Sequence, residues 1–353
     1  MDRRDHLLKY VSKQSLGIEV GPWMSPIAPK RDGYNCLVLD VFDTLTLKER
    51  AAGDVNIAER AEEIEEVDLV GSAVQIDRIV AGRYPLSSFD YVVSSHNFEH
   101  LSNPIKFLQG CARILKTGGM VSMAIPDHRT CFDFFRPLTM LTDWLAAYIE
   151  DRERPTPFQN FHHAAYFASY DDGIRRDTSF FRFSPVECVG GPPNLREVFQ
   201  ELIGRVAQKT EEYVDAHCSA FTPASIELLL LDCEYLGLLP FKVVEVADLG
   251  CEFHAHLRKS DDNAPMDPVT HQAARDRLMH RMKNEEAEAS GQYRAAVAER
   301  DELRVLSAQL RAAIQHYEQS TSWKATGPLR WMASTARHLL ALRMRPPGQT
   351  EAS

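Results

Sequence analysis

The side chains of this sequence best placed for chemistry are a glycine, several carboxylates and several histidines at the ends of apolar runs. Leu16-Gly17-Ile18-Glu19-Val20 carries an acidic residue near its end and runs into Gly21-Pro22. A glycine at such a turn lets the backbone approach a ligand with no Cβ in the way. About twenty residues on, the run Cys36–Asp40 ends in Asp40, where sheets that bind nucleotides place a carboxylate to accept hydrogen bonds from ribose hydroxyls. Each signal alone also has a plain reading, a turn glycine and a capping aspartate. His100 follows the run Phe89–Ser94, and an imidazole with a pKa near neutrality can take a proton from a hydroxyl. Two readings stay open for His100, a general base or a structural residue bonded to backbone. Asp127-His128 lies just past the run Met120–Ile125, but no metal-ligand spacing motif accompanies it and no metal is expected. His162, His163 and His217 either shape a pocket or are satisfied loop residues.

For these groups to meet, their strands must end on one edge of a sheet. Apolar runs bounded by Gly, Pro, Asp or Ser predict strands over Leu16–Val20, Cys36–Asp40, Glu66–Val70, Phe89–Ser94 and Met120–Ile125, then Lys242–Ala247 and Glu252–Leu257. The last two are close enough for a hairpin, with Asp248-Leu249-Gly250 as its turn. Between the fourth and fifth strands, Ile105, Leu108, Cys111, Ala112 and Leu115 recur at helical spacing behind Pro104. A second helix opens at Pro223 and closes at Gly237. The expected fold is α/β, a parallel sheet with crossover helices and a terminal antiparallel hairpin. Residues 127–222 break the rhythm with clustered aromatics, histidines and prolines and read as an insertion or lid within a domain of residues 1–259. Its aromatics, among them Trp144, Tyr148, Phe158 and Tyr166, suit either a stacking surface for sugars or a small core. Residues 260–267 read as a linker and 268–320 as a long helix, with coiled-coil pairing expected through Leu303, Leu306, Leu310, Ala313 and Tyr317. Residues 321–353 form a basic amphipathic tail.

One stretch is more specific. Phe89-Asp90-Tyr91-Val92-Val93-Ser94-Ser95-His96-Asn97-Phe98-Glu99-His100-Leu101, followed by Ala112-Arg113-Ile114-Leu115-Lys116-Thr117-Gly118-Gly119, resembles the class I S-adenosylmethionine-dependent methyltransferases. That family's pattern is a strand, a short loop ending in Glu-His, a helix, Arg-x-Leu-Lys-x-Gly-Gly and a strand. The resemblance covers most of residues 15–259 and implies a Rossmann-like sheet and S-adenosylmethionine as cofactor. It implies that Glu19 and Gly21 lie beside the methionine part of the cofactor, Asp40 at the ribose and Asp68 near the adenine, with Ser94, Ser95 and His96 along the floor. His100, near the place where a methyl acceptor would sit, is the candidate catalytic base, and the Glu-His pair of this family is often structural. Where many members have a second glycine, two places after the first, this chain has Trp23. The segment Gly-Pro-x-x-x-Pro also looks like a variant found among methyltransferases of bacterial polysaccharide gene clusters.

Composition narrows the class. The chain has 353 residues, 44% hydrophobic and 25% charged, as in ordinary globular proteins. A net charge of −10 opposes binding to nucleic acid. Seven cysteines without any C-x-x-C read as small buried hydrophobes. No apolar run reaches the ~20 residues of a spanning helix, and no secretory signal is read, so a cytoplasmic location is expected. Ser322–Arg330 resembles a tail motif, Ser-Trp-Arg-x-Thr-x-Pro-Leu-Arg, of bacterial glycosyltransferases and other glycan-assembly proteins. The segment Leu329–Arg345 carries Arg330, Arg337, Arg343 and Arg345 with no acidic residue, as in helices that lie on anionic membranes or dock to a partner. The expected activity is O-methylation of a cell-surface glycan or its precursor, with peripheral membrane or glycan-assembly contact through the tail. A non-catalytic scaffold of the same fold is the alternative.

Overall fold

The computed structural model describes residues 2–326, apart from 56, 183, 210–211 and 262–265, and the chain divides into two units, Met1–Tyr293 and Arg294–Ser353. The first unit opens with α1 (Arg3–Leu7) and β1 (Gly17–Val20), then β2 (Cys36–Asp40), α2 (Thr44–Ala52), β3 (Leu69–Val70) and α3 (Ile76–Ala81). Next come β4 (Phe89–Ser95), α4 (Pro104–Ile114) and β5 (Leu115–Pro126). The region that breaks the α/β rhythm forms α5 (Leu141–Ile149), α6 (Pro157–Ala165), the short strands β6 (Ser169–Asp171), β7 (Arg176–Asp177) and β8 (Val189–Gly190), and α7 (Leu195–Gln208). The sheet resumes after α8 (Pro223–Tyr235) with β9 (Phe241–Asp248) and β10 (Glu252–Lys259). The helix α9 (Pro268–Gln319) starts in the first unit and ends in the second, before α10 (Thr321–Ala325).

Seven strands form one sheet in the order β3-β2-β1-β4-β5-β10-β9, parallel except for β10, which runs antiparallel to both its neighbours. This is the Rossmann-like sheet with a terminal antiparallel hairpin. The central strands β1 and β4 are largely buried and mostly apolar because helices and loops cover both faces. On one face Ile18, Leu39, Val92, Val121 and Phe253 pack under α3, α4 and α8. On the other, Cys36, Tyr91, Val93 and Ala124 pack under Leu7 and Leu8 of α1 and its following turn and under Ile27 and Ala28. α4 starts where Asn103 accepts from Lys106 N–H and Pro104 fills the first turn, and it buries Ile105, Phe107, Leu108, Cys111 and Ile114. Each large apolar side chain so buried contributes about 1.5–3 kcal/mol.

Two strands differ from expectation for stated reasons. β3 is two residues long because the Asp68 carboxylate accepts the Val38 N–H that a longer ladder would use. β5 begins at Leu115, directly after α4, and residues 116–119 bulge out before Met120 pairs with Tyr91. Gly119 is needed there, since a Cβ would meet Lys116 O at 2.9 Å.

The first half of α9 is tied to the first unit. Leu278 and Met282 are buried, and Asp232 of α8 accepts from His271 and Arg275. The second half differs in kind: Leu303, Leu306 and Leu310 are 58%, 50% and 56% exposed. Of the basic tail, only residues 321–326 are among those described; the arginines from Arg330 onward lie outside them.

Candidate active site

β1 hydrogen-bonds to β2 on one side and to β4 on the other, so the winding of the sheet reverses between β1 and β4. Open α/β sheets bind ligands outside the carboxyl ends of the strands at such a point. Here a crevice of about 480 Å³ is lined by Gly21, Trp23, Asp40, Phe42, Arg50, His96, Asn97, His100, Tyr213 and Asp215, among others. Its volume is within the ordinary range for small-molecule sites. Gly21 has φ +60°, and a Cβ there would meet Asn97 Nδ2 at 2.8 Å. Trp23 and His96 also hold left-handed backbone, at φ +48° and +49°. That conformation is costly for residues with a Cβ and gathers at functional sites. Asn97 Oδ1 is buried with no hydrogen-bond partner among the described residues. The glycine cradle and the orphaned amide oxygen suit a polar ligand whose backbone-facing side lies close to Gly21.

Asp40 ends β2 inside this lining. Its Oδ1 accepts from Phe42 N–H at 3.1 Å, and burial pushes its carboxyl above the usual range against that bond. The Arg50 guanidinium sits 3.7 Å over the Phe42 ring. His100 follows β4, and its Nδ1 is 2.8 Å from Asp215 Oδ1, which also accepts from Tyr213 OH. Burial disfavours the charged imidazole, but Asp215 and Glu99 outweigh it and raise the His100 pKa. Burial works against the Asp215 carboxylate too, yet His100 and Tyr213 hold it down to about 2.

Gly21, Asp40, His96 and His100 are therefore brought together. The other expected residues stand elsewhere. Both oxygens of Glu19 accept backbone N–H groups, from Ile27 at 2.6 Å and Ala28 at 2.9 Å. Asp68 is engaged by Val38 N–H and by Lys30. Ser94 is buried in β4, and Ser95 Oγ accepts from Arg3. Asp127 is occupied by Arg129 and Arg182, and His128 pairs with Glu286, so that carboxylate and imidazole face cations and an acid rather than each other. Asn97, Tyr213 and Asp215 were not singled out by the sequence: Asn97 is next to the Glu-His segment, but nothing local marks the other two.

A second cavity, of about 630 Å³, lies among the residues that follow His100 and His217, lined by Leu101, Ser102, Arg136, Asp143, Trp144, Arg152, Gln159, His162, Cys218 and Ser219, among others. Ser102 Oγ, Arg136 Nε and Trp144 Nε1 are buried without hydrogen-bond partners among the described residues. Trp144 also packs on Phe98 and Phe221, so this aromatic belongs to the main core, whereas Phe158 and Tyr166 are exposed and Phe167 stacks on Phe132. His163 approaches His217, and burial first, then His217, lowers it to about 4.

A family model described as "Methyltransferase domain" matches residues 30–123, from the segment before β2 through most of β5. No curated protein matches the sequence. The chain is similar to a SAM-dependent methyltransferase from Aquifex aeolicus at 14% identity, over 73% of this chain and 89% of that one, with a TM-score of 0.34. One from Methanosarcina mazei gives 16% identity over 74% and 98%, with a TM-score of 0.35. One from Mesorhizobium loti gives 13% over 72% and 97%, with a TM-score of 0.34. Residues 30–123 match a methyltransferase domain, which implies S-adenosylmethionine as cofactor, and they hold the Asp40 and His100 sides of a crevice at the sheet's switch point.

Proposed function

We propose that this methyltransferase methylates a hydroxyl of a cell-surface glycan or its precursor. The observation that carries the proposal is the second cavity, whose orphaned Ser102 Oγ, Arg136 Nε and Trp144 Nε1 offer hydrogen bonds to a hydroxyl-rich acceptor. The tail motif around Ser322-Trp323-Lys324 supports the same class of acceptor; its last residues, 327–330, lie outside those described. S-adenosylmethionine supplies a methyl group made electrophilic by its sulfonium. Gly21 and Asn97 give the cofactor a close backbone approach, and Asp40 accepts hydrogen bonds from its ribose. His100, oriented at Nδ1 by Asp215, activates the acceptor hydroxyl through Nε2. Partners other than the small acceptor are assigned to the second half of α9 and the tail behind it, where exposed Leu303, Leu306 and Leu310 of α9 favour self-association or a partner helix. No helix of the described residues is long and apolar enough to cross a membrane; attachment at the inner membrane face rests on the arginines beyond residue 326.

Trp23 favours a second reading, a scaffold of the same fold without catalysis, because it holds a left-handed conformation where many relatives of this pattern have glycine. Calorimetric titration with S-adenosylmethionine and S-adenosylhomocysteine separates the two. The enzyme reading expects binding, weakened in Asp40→Ala by roughly 1.5–3 kcal/mol, the range for a hydrogen bond to a charged group. No binding at millimolar ligand would leave only the scaffold.

A further inference from the structure

Three side chains from two separate parts of the chain converge beside the crevice. Glu99 and His100 follow β4, and His217 comes from the segment before α8. Glu99 is 1% exposed, and neither carboxylate oxygen has a hydrogen-bond partner among the described residues. Its position is nonetheless fixed, because its backbone carbonyl accepts from Cys218 and Ser219 N–H. Nε2 of His100 lies 3.8 Å and Nε2 of His217 3.7 Å from Glu99 Oε1. Those separations are too long for hydrogen bonds.

The other nitrogen of each ring is held by a carboxylate, His100 Nδ1 by Asp215 at 2.8 Å and His217 Nδ1 by Asp133 at 2.5 Å. A ring that donates from Nδ1 to a carboxylate presents a lone pair at Nε2. Two lone pairs and an unpaired carboxylate thus point into one space. Charge points the same way. Among the described residues, Asp133 alone of Glu99, Asp133 and Asp215 has a guanidinium partner, Arg136 at 2.6 Å. A cation bound between the rings would pair with the two carboxylates that lack such a partner.

We propose that Glu99, His100 and His217 bind a divalent cation of the zinc class, with Asp215 and Asp133 orienting the two imidazoles. The three ligand atoms all lie within 4.8 Å of one another. Tetrahedral zinc spaces its ligands about 3.4 Å apart, so each imidazole closes on the Glu99 oxygen by a few tenths of an ångström, while the two rings, within 4.8 Å of each other, draw together on binding. Carboxylate–histidine–metal relays of this kind fix the ring and raise its basicity. Three protein ligands leave a coordination position open. The segments bearing His100 and His217 run directly into Leu101, Ser102, Cys218 and Ser219 of the second cavity. Resting on the methyl-transfer reading, that position takes the acceptor's hydroxyl, and His100 then acts on it through the cation. The cation draws density from the oxygen, the O–H proton passes to water, and the oxygen keeps the electron pair.

Titration of the full chain with Zn²⁺ and with Co²⁺, followed by calorimetry and visible absorption, tests the site without any assay of activity. One equivalent is expected to bind, with Co²⁺ bands typical of a nitrogen and oxygen ligand set. Glu99→Gln and His217→Gln are each expected to weaken binding by about 100-fold or more, and Asp133→Asn by about 10–100-fold. S-adenosylhomocysteine binding, measured on the same samples, reports that the fold survives. Absence of saturable Zn²⁺ and Co²⁺ binding in protein that binds S-adenosylhomocysteine would overturn the cation site and leave methyl transfer standing. Binding unchanged in both Gln variants would overturn it too. Saturable binding, lost in the variants, in protein that binds no S-adenosylhomocysteine would support the site and count against the methyl-transfer reading.

Discussion

Glu19 and Glu99 are each 1% exposed at the carboxyl side of neighbouring parallel strands, yet their surroundings are opposite. The Glu19 carboxylate is met by two backbone N–H groups and stitches residues 27 and 28 over the sheet. The Glu99 carboxylate is met by imidazole nitrogens at 3.7–3.8 Å and by no hydrogen bond among the described residues. The difference teaches that burial of an acid does not by itself make a reactive site. Satisfied lone pairs hold a loop, and unsatisfied ones wait for a ligand.

The comparison can be broken most sharply at His100. His100→Ala is expected to lower turnover by about 10²–10⁴-fold, the usual worth of acid–base assistance, with affinity for S-adenosylhomocysteine unchanged. Steady-state kinetics alongside calorimetry would check this. Loss of cofactor binding or of the folded state in that variant would make the Glu99 region structural, like that of Glu19.

The Glu19 side is sharpened through stability. Glu19→Ala leaves two buried N–H groups unpaired and is expected to cost about 3 kcal/mol in urea unfolding. pH gives a second handle. Burial pushes the Glu19 carboxyl from 4.5 up to about 7, against the pull of the Ile27 and Ala28 N–H groups. A carboxyl whose folded pKa exceeds its unfolded one holds its proton more tightly when folded. The stability this gives is therefore full below pH 4.5 and is lost as pH rises towards 7. Glu19→Gln is expected to flatten that part of the stability curve; an unaltered slope would place its origin elsewhere.

The smallest effect is expected from the tail. The groups that meet the two glutamates and the residues lining the crevice belong to the first unit, so ending the chain at Tyr293 is expected to leave cofactor affinity unchanged. Self-association in light scattering and sedimentation with anionic vesicles are expected to fall. If full and shortened chains are equally monomeric and equally unbound to vesicles at low salt, the roles assigned to the tail are wrong.

The sequence by itself determined the sheet. Apolar runs bounded by turn residues make β1, β2, β4, β9 and β10 readable within one or two residues, and Pro104 and Pro223 mark two helices. It also marked Gly21, Asp40, His96 and His100, because each sits next to a strand end and proximity along the chain carries them to one edge. The short length of β3 was not legible, since it depends on where the Asp68 side chain reaches. Nor was the interior of residues 127–222, whose strands of two or three residues leave no periodicity to read. Glu19 looked like a crevice residue because its place in the chain is right, and only packing aims its carboxylate at Ile27 and Ala28. The pairing of Glu99 and His100 with His217, and of their rings with Asp215 and Asp133, was likewise decided by tertiary structure alone. Periodicity and adjacency are local properties of a chain, whereas the convergence of lone pairs depends on how distant segments pack.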